Sequence, residues 1–492
     1  MMGYSLLGFS IVVVVIILCW YIRYIRLANF FKRQQIPGPK LKLFALFSLK
    51  ESFEERTCLH LSQINGIKNY GNIFGIFLGG IPCYIIADVD IVKQIMINDF
   101  CYFPNRPTIS NDFLDDGLYN LQDHQWKRIR NMLAPSLCGL KIKQLTPLMN
   151  QSVRNHLSRL VNTNDATQPV DIIGWTNNIT LEIIMTSIFG VTVDMQTDSD
   201  DKFVQCAISM FQMRSFVAIL TFFCPCLARY WIKLDRTFYN SIQYVELMSK
   251  AVIQQRKKEV YDDKSPNDLL RLILNSVAAN QKINLTDDEI VCQLMTFLMA
   301  AYKTISSTIA LTAYILALHP DIQDKVIAEI ENACLDQLDI TYEMINQMDY
   351  LEMVLLEVLR LYPPDFLILR KTKYDVEINN KYRFGKGAMI LIPVYGIHHH
   401  EEYWPEPEKF NPDRFLKEEK DKRQPFCYLP FGHGPRNCIG IKFAIIQVKL
   451  VLAHFLRQFK FIKCDQTEIP LQLQTTTILG PKNRIKLQLQ PH

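Results

Sequence analysis

The hydropathy pattern divides the chain unevenly. Tyr4 to Ile22 runs 19 residues without a charge, close to the ~20 apolar residues that cross a bilayer as a helix. Arg23, Arg26, Lys32 and Arg33 follow it, which by the positive-inside rule leaves the rest of the chain cytosolic. A cleaved signal peptide, the alternative, would show a basic start, a shorter apolar core and a small-residue cleavage site. In Ile36-Pro37-Gly38-Pro39 two prolines forbid helix continuation, so this stretch reads as a stiff hinge. The expected organisation is an anchor at 4–22, a basic linker and hinge at 23–39, and one globular domain at 40–492. In this orientation the sequons at Asn150, Asn178 and Asn284 stay unglycosylated.

Within the globule, residues 70–90 alternate in polarity around Gly79-Gly80 and predict a β-hairpin. From Ile91 to about Leu361 the apolar positions recur with helical spacing. Short strands are expected at Tyr374–Ile378 and Met389–Val394, with a last pair bracketing Gly480-Pro481. The fold class is mainly α with minor β-sheets, preceded by the N-terminal transmembrane helix. One helix stands out. Thr286-Asp-Asp-Glu289 has the capping-box pattern and His319-Pro320 closes the segment. Its ~32 residues would span ~48 Å. From Ile290 to Leu318 the only charge is Lys303. A second membrane span is the alternative, but Lys303, Thr304, Ser306 and Ser307 lie mid-segment, where lipid penalises them. A central helix of a globule fits better.

Composition narrows the classes. At 492 residues, 49% hydrophobic and 11% aromatic, the chain has ample core. A net charge of +5 suits a basic patch for an acidic partner or membrane, and is too mild for a nucleic-acid binder. The 13 cysteines are odd in number and scattered, with Cys224-Pro-Cys226 the one close pair and no CxxC. That argues against a disulfide framework or a zinc site and for a reducing compartment. No Walker A or GxGxxG motif occurs, so the chain shows no flavin or nicotinamide site of its own.

The chemistry concentrates in PFGHGPRNCIG, residues 430–440. Gly432, Gly434 and Gly440 allow tight turns and the close approach of something flat. Arg436 and the start of a helix from Ile441 both favour a thiolate at Cys438. An activated nucleophile would need an oriented base, and His433 has nothing to orient it. One thiolate without nearby Cys or His pairs matches haem iron better than zinc or an iron–sulfur cluster.

Phe431-x-x-Gly434-x-Arg436-x-Cys438-x-Gly440 resembles the haem-binding signature of the cytochrome P450 family. Glu357-Val-Leu-Arg360 resembles its ExxR pair, Phe410-Asn-Pro-Asp-Arg414-Phe415 its PERF-type motif, and Trp126-Lys-Arg-Ile-Arg130 its WxxxR motif. The order, with Tyr362-Pro-Pro and Trp404-Pro-Glu-Pro, is most similar to the microsomal, drug-metabolising animal branch. The resemblance covers essentially the whole chain and implies a P450 fold, with 40–492 a haem-thiolate catalytic domain. It implies Cys438 as axial ligand of haem b (iron protoporphyrin IX), and Phe431, Trp126, Arg130, Arg370 and Arg436 as cofactor-binding residues. Glu357, Arg360 and Arg414 are then structural. Ala300, Ile368 and Ile478, with the loop Phe103–Leu121, are expected beside a lipophilic substrate. The implied reaction inserts one atom of O2 using electrons from NADPH, delivered by NADPH–cytochrome P450 reductase with cytochrome b5 as a further donor, at the endoplasmic reticulum membrane.

The chain departs from the family where the long helix should carry Ala/Gly-Gly-x-acid-Thr-Thr. Here AAYKTI gives Ala301 for the glycine, Lys303 for the acid and Ile305 for the second threonine, with Thr304 retained. Three accounts stand. Lys303 points away and pairs with an acid, leaving Thr304 and water to carry protons; or it joins the relay with a pKa lowered by burial; or oxygen activation is impaired and the enzyme rearranges peroxides without a reductase. A non-catalytic ligand carrier is a fourth. Three further features have bland readings. His398-His399-His400 reads as a surface loop, since adjacent side chains diverge. Phe222-Phe223-Cys-Pro-Cys226-Leu reads equally as core or as a membrane-dipping substrate route. Lys127, Arg128 and Lys442 read as a solvated run or as a reductase-docking face.

Overall fold

The computed structural model describes residues 21, 25–40, 58–78, 81–107, 115–162, 168–193, 202–211, 217, 228–258, 268–279, 285–334 and 337–492. The expected anchor (Tyr21 apart), the Gly79-Gly80 turn, Asn284 and the Phe222–Leu227 stretch lie outside them. The helices used below are α1 Leu59–Tyr70, α2 Asp123–Leu133, α3 Gly139–Asn162, α4 Ile172–Ile184, α5 Arg236–Lys258, α6 Asp287–Leu318, α7 Pro320–Cys334, α8 Asp349–Leu361 and α9 Ile441–Leu456. The strands are β1 Ile73–Leu78, β2 Ile81–Ile86, β3 Val170–Asp171, β4 Ile368–Lys371, β5 Val376–Ile378, β6 Tyr382–Phe384, β7 Met389–Ile392, β8 Phe459–Lys463, β9 Leu473–Thr475, β10 Leu479–Pro481 and β11 Lys486–Pro491.

Helix α6 begins as its sequence dictates. Thr286 accepts from the Glu289 amide while Glu289 reaches back to the Thr286 amide, and three acids complement the dipole in the first turn. Every residue from Ile305 to Ala317 is buried, so this helix is the spine of the globule. Its core joins side chains of α3, α4, α7, α8 and α9. Pro320 ends α6 and opens α7, where its missing N–H costs nothing.

The sheets are small. The order β1-β2-β7-β4 forms the largest, with β1 and β2 antiparallel from Ile73↔Ile86 to Leu78↔Ile81. β2 then runs parallel to β7, and β7 antiparallel to β4, which sets Arg370 opposite Ile390. A second sheet, β3-β11-β8, holds the C-terminal strand β11 between β3 and β8. The hinge docks on β1: the Gly75 amide donates to Pro37 O at 2.8 Å. There is no room at Gly38 for a side chain, since a Cβ would sit 2.1 Å from Gly75 O.

Three expectations change. Gly480-Pro481 is not a turn but part of β10, paired with β9, and the bend falls at residues 476–478. Gly480 earns its place by close approach, its Cβ position lying 3.4 Å from Ser307 Oγ on α6. Second, the histidine triplet is no surface loop. It closes the helix Val394–His398, with His398 and His399 buried. His398 Nε2 accepts from the Leu429 amide at 2.8 Å, so its Nδ1–H donates to Arg360 O at 3.1 Å. Third, Asn150 is buried and bonded to Ile340 and His454. Its lack of a glycan therefore reports nothing about topology.

Candidate functional site

The Cys438 loop is shaped by two left-handed glycines, Gly432 (φ 66) and Gly434 (φ 73), a region side chains rarely adopt. A Cβ at Gly434 would also strike Met96 O at 2.2 Å. Gly440 needs no such freedom, and a Cβ there would stand in open space. The Cys438 amide donates to Phe431 O at 2.9 Å, closing the loop just before α9. The cysteine is solvent-accessible yet surrounded by protein, the signature of a side chain lining an internal hollow.

Burial raises the Cys438 thiol pKa; the Gly440 amide and the Arg106 and Arg130 guanidiniums pull it back, and Asp365 opposes them. Arg436, expected to favour the thiolate, acts elsewhere. Its Nε donates to Pro104 O (2.8 Å) and its Nη2 to Leu121 O (2.6 Å). Its guanidinium stacks 4.3 Å from the Trp126 ring centroid. Trp126 and Arg130, four residues apart on α2, share a face. Arg130 donates to Asn437 O at 2.9 Å and to Asn437 Oδ1 at 2.5 Å, beside Cys438.

Arg106, Arg130, Arg370 and Arg436 form a group of like charges. Burial and the neighbouring guanidiniums push Arg436 down to about 8 and Arg370 to about 9. Arginine stays charged in proteins, so that push is unfavourable energy which an anion would relieve. Two buried N–H groups in the cluster, Arg370 Nε and Arg436 Nη1, have no hydrogen-bond acceptor among the described residues. Such orphans are costly. A flat group carrying two carboxylates and an iron for Cys438 fits this donor set. Arg106 and its partner Tyr119, whose ring lies 4.2 Å below the guanidinium, were covered only by the Phe103–Leu121 expectation. No motif marks either.

Glu357 and Arg360 are fully buried. Their forked pairing has contacts of 2.8 and 2.9 Å, with Arg414 Nε 3.4 Å from Glu357 Oε1. Taken alone, the sequence would suggest a solvated helix pair. It is instead a buried post tying α8 to the 405–414 segment.

On α6, Ala300, which is exposed, and Thr304, half-buried, lie one turn apart. Thr304 Oγ1 donates to Ala300 O at 2.6 Å, leaving its lone pairs free to accept. Ile368 on β4 approaches the cysteine loop, 3.7 Å from where a Gly432 Cβ would lie. Ile478 sits at the bend between β9 and β10, beside α6.

Lys303 turns to the flank. Its Nζ donates to Asn177 Oδ1 on α4 at 3.3 Å and lies 4.8 Å from the Tyr302 ring centroid. Burial lowers its pKa. Its partner among the described residues is thus an amide and not the expected acid; the acid of α4, Glu182, is buried 3.4 Å from His156 Nδ1 instead. Of the supposed docking face, Lys127 and Lys442 are exposed, while Arg128 is paired with Glu289.

Residues 37–489 match the family model described as Cytochrome P450. Cytochrome P450 3A41 of Mus musculus is 33% identical over 495 residues, covering 98% of this chain and 96% of its own length. Cytochrome P450 3A9 of Rattus norvegicus is 34% identical over 474 residues (93% and 92%). Cytochrome P450 3A5 of Homo sapiens is 33% identical over 475 residues (94% and 93%).

Proposed function

The chain belongs to the cytochrome P450 family and is a cytochrome P450 monooxygenase; on that premise we propose that it oxidises lipophilic substrates with electrons from NADPH–cytochrome P450 reductase, anchored in the endoplasmic reticulum membrane with its catalytic domain in the cytosol. The observation that carries the site assignment is the arginine cluster around Cys438, with its two acceptorless buried N–H groups.

Cys438 would be the thiolate ligand, its negative charge favoured by the Gly440 amide and by Arg106 and Arg130. Arg370 and Arg436, whose Nε and Nη1 lack acceptors among the described residues, would hold the propionates together with Arg106 and Arg130. Trp126 keeps Arg436 in place by stacking, and Phe431 fixes the loop through its carbonyl. Haem, when bound, supplies the redox chemistry that activates O2. Thr304 passes protons at Oγ1, through water, on the face of α6 that also carries Ala300. Lys303 takes no part, since its ammonium is committed to Asn177. Ala300, Ile368 and Ile478 give the substrate an apolar wall.

The test is the reduced, CO-bound spectrum of the full-length protein. Wild type gives the red-shifted thiolate band and Cys438→Ala loses it. Turnover of a lipophilic probe with NADPH and reductase, but not with hydroperoxide alone, separates the monooxygenase from a peroxide rearrangement. Turnover only with hydroperoxide refutes the reductase reading.

A further inference from the structure

Asp365 is a carboxylate without a job in the scheme above. It stands in Tyr362-Pro363-Pro364-Asp365-Phe366, between α8 and β4, and both flanking carbonyls are pinned. Pro364 O accepts from the Leu479 amide at 2.9 Å. Phe366 O accepts from the Tyr395 amide at 3.2 Å and from Gln63 Nε2 at 3.1 Å. Phe366, Tyr395 and Leu479 pack together beneath. The loop therefore presents Asp365 rigidly.

Like Cys438, Asp365 is solvent-accessible though enclosed by protein, so it lines the same hollow. The Pro364–Leu479 bond sets it next to Ile478, and Ile368 follows three residues later, so it stands beside two residues of the expected substrate wall; its charge is felt at Cys438, Tyr119 and Arg370. Burial raises its pKa, and Arg106 and Arg370 offset part of that. Yet neither arginine bonds to it: Arg106 donates to the Tyr119 and Arg436 carbonyls and Arg370 to the Leu369 carbonyl. Among the described residues no donor reaches the Asp365 carboxylate. An enclosed, unpaired carboxylate is costly. Held rigidly at the mouth of an apolar wall, it offers a contact for a cation that enters with the substrate.

We propose that Asp365 is the binding subsite for a protonated amine, so that this enzyme selects lipophilic amines whose apolar body lies against Ala300, Ile368 and Ile478. The guanidiniums do not defeat this: they are committed to carbonyls and, on the reading above, to propionates, whereas the ammonium would touch the carboxylate directly. Lys303 faces Asn177 and is not a competitor.

The inference rests on the haem-thiolate reading, and a wild type without the red-shifted CO band fails that reading before this one is tested. The test uses the haem-loaded full-length protein and three probes of one length: N,N-dimethyldodecylamine, dodecanol and dodecanoate. Binding is read from the haem absorption shift and, independently of haem, by equilibrium dialysis. Asp365→Asn should weaken the amine ~10- to 100-fold, the range of a charge-assisted hydrogen bond. Dodecanol should stay within about twofold, and dodecanoate should bind more tightly. Asp365→Ala should repeat the pattern with unchanged haem content. If all three probes shift together, if none shifts, or if haem content falls in both variants, Asp365 serves the arginine cluster and the proposal is wrong.

Discussion

Replacing Glu357 with glutamine should destabilise the protein by ~3–5 kcal/mol, the cost of leaving a buried charge without its partner. Both Glu357 oxygens are used. Oε2 accepts from Arg360 Nε at 2.8 Å, and Oε1 accepts from Arg360 Nη2 at 2.9 Å and from the Asn411 amide at 3.1 Å. Glutamine keeps one acceptor and turns an N–H₂ toward a guanidinium at a site with no water access, since both residues are 0% exposed. Arg360→Met should cost a similar amount, because it strips Glu357 of its counter-charge and the His398 and Lys409 carbonyls of their donor.

The double variant decides the matter. With both charges gone, the desolvation penalty of the pair vanishes as well, and the remaining loss is orphaned carbonyls at ~1–3 kcal/mol each. It should therefore be no less stable than either single variant. At ~2 °C per kcal/mol for a large domain, each single variant should lower Tm by about 6–10 °C in scanning calorimetry at one fixed scan rate. A drop under 2 °C for Glu357→Gln, or strictly additive single losses, would refute the reasoning.

Two further outcomes follow from burial. His60, His399 and His454 are buried, and desolvation lowers their pKa values from 6.5 to about 4, 3 and 3. Below pH 6.5 the unfolded chain takes up protons that the fold refuses, so stability falls as pH falls toward those values. The slope near pH 5.5 approaches ~4 kcal/mol per unit for the three together. A pH series of Tm checks it, and a flat profile from pH 6.5 to 4.5 contradicts it. Lys303→Met should be neutral or stabilising by up to ~2 kcal/mol at pH 7, because Asn177 Oδ1 keeps the Ser306 hydroxyl at 2.9 Å. Burial lowers the lysine's pKa, so the wild type gains stability as pH rises from that lowered pKa toward 10.5. The advantage of the variant should then shrink as the pH is raised toward 10.5. A lower Tm for Lys303→Met would mean that Asn177 and the Tyr302 ring more than compensate the buried ammonium.

The features legible in the sequence were those whose chemistry is local. The Thr286–Glu289 cap is written within four residues, and the Cys438 loop needs its glycines wherever it sits. Strand β4 was missed because Ile368–Lys371 is too short to show alternation and is defined by its partner β7. The burial of His398 was equally hidden: it depends on the Leu429 amide and the Arg360 carbonyl, both far along the chain. Charge anomalies fall between these cases. Lys303 in its apolar helix announces a conflict, since a charge in such a setting needs a partner, whereas no sequence pattern singled out Asp365. The partner itself is tertiary information. For Lys303 the fold supplies one, an amide 126 residues away, and the anomaly closes as structure. For Asp365 the described fold supplies only charge at a distance, from Arg106 and Arg370. An anomaly that folding leaves open, in a hollow built to receive small molecules, is where a ligand's own charge has most to gain.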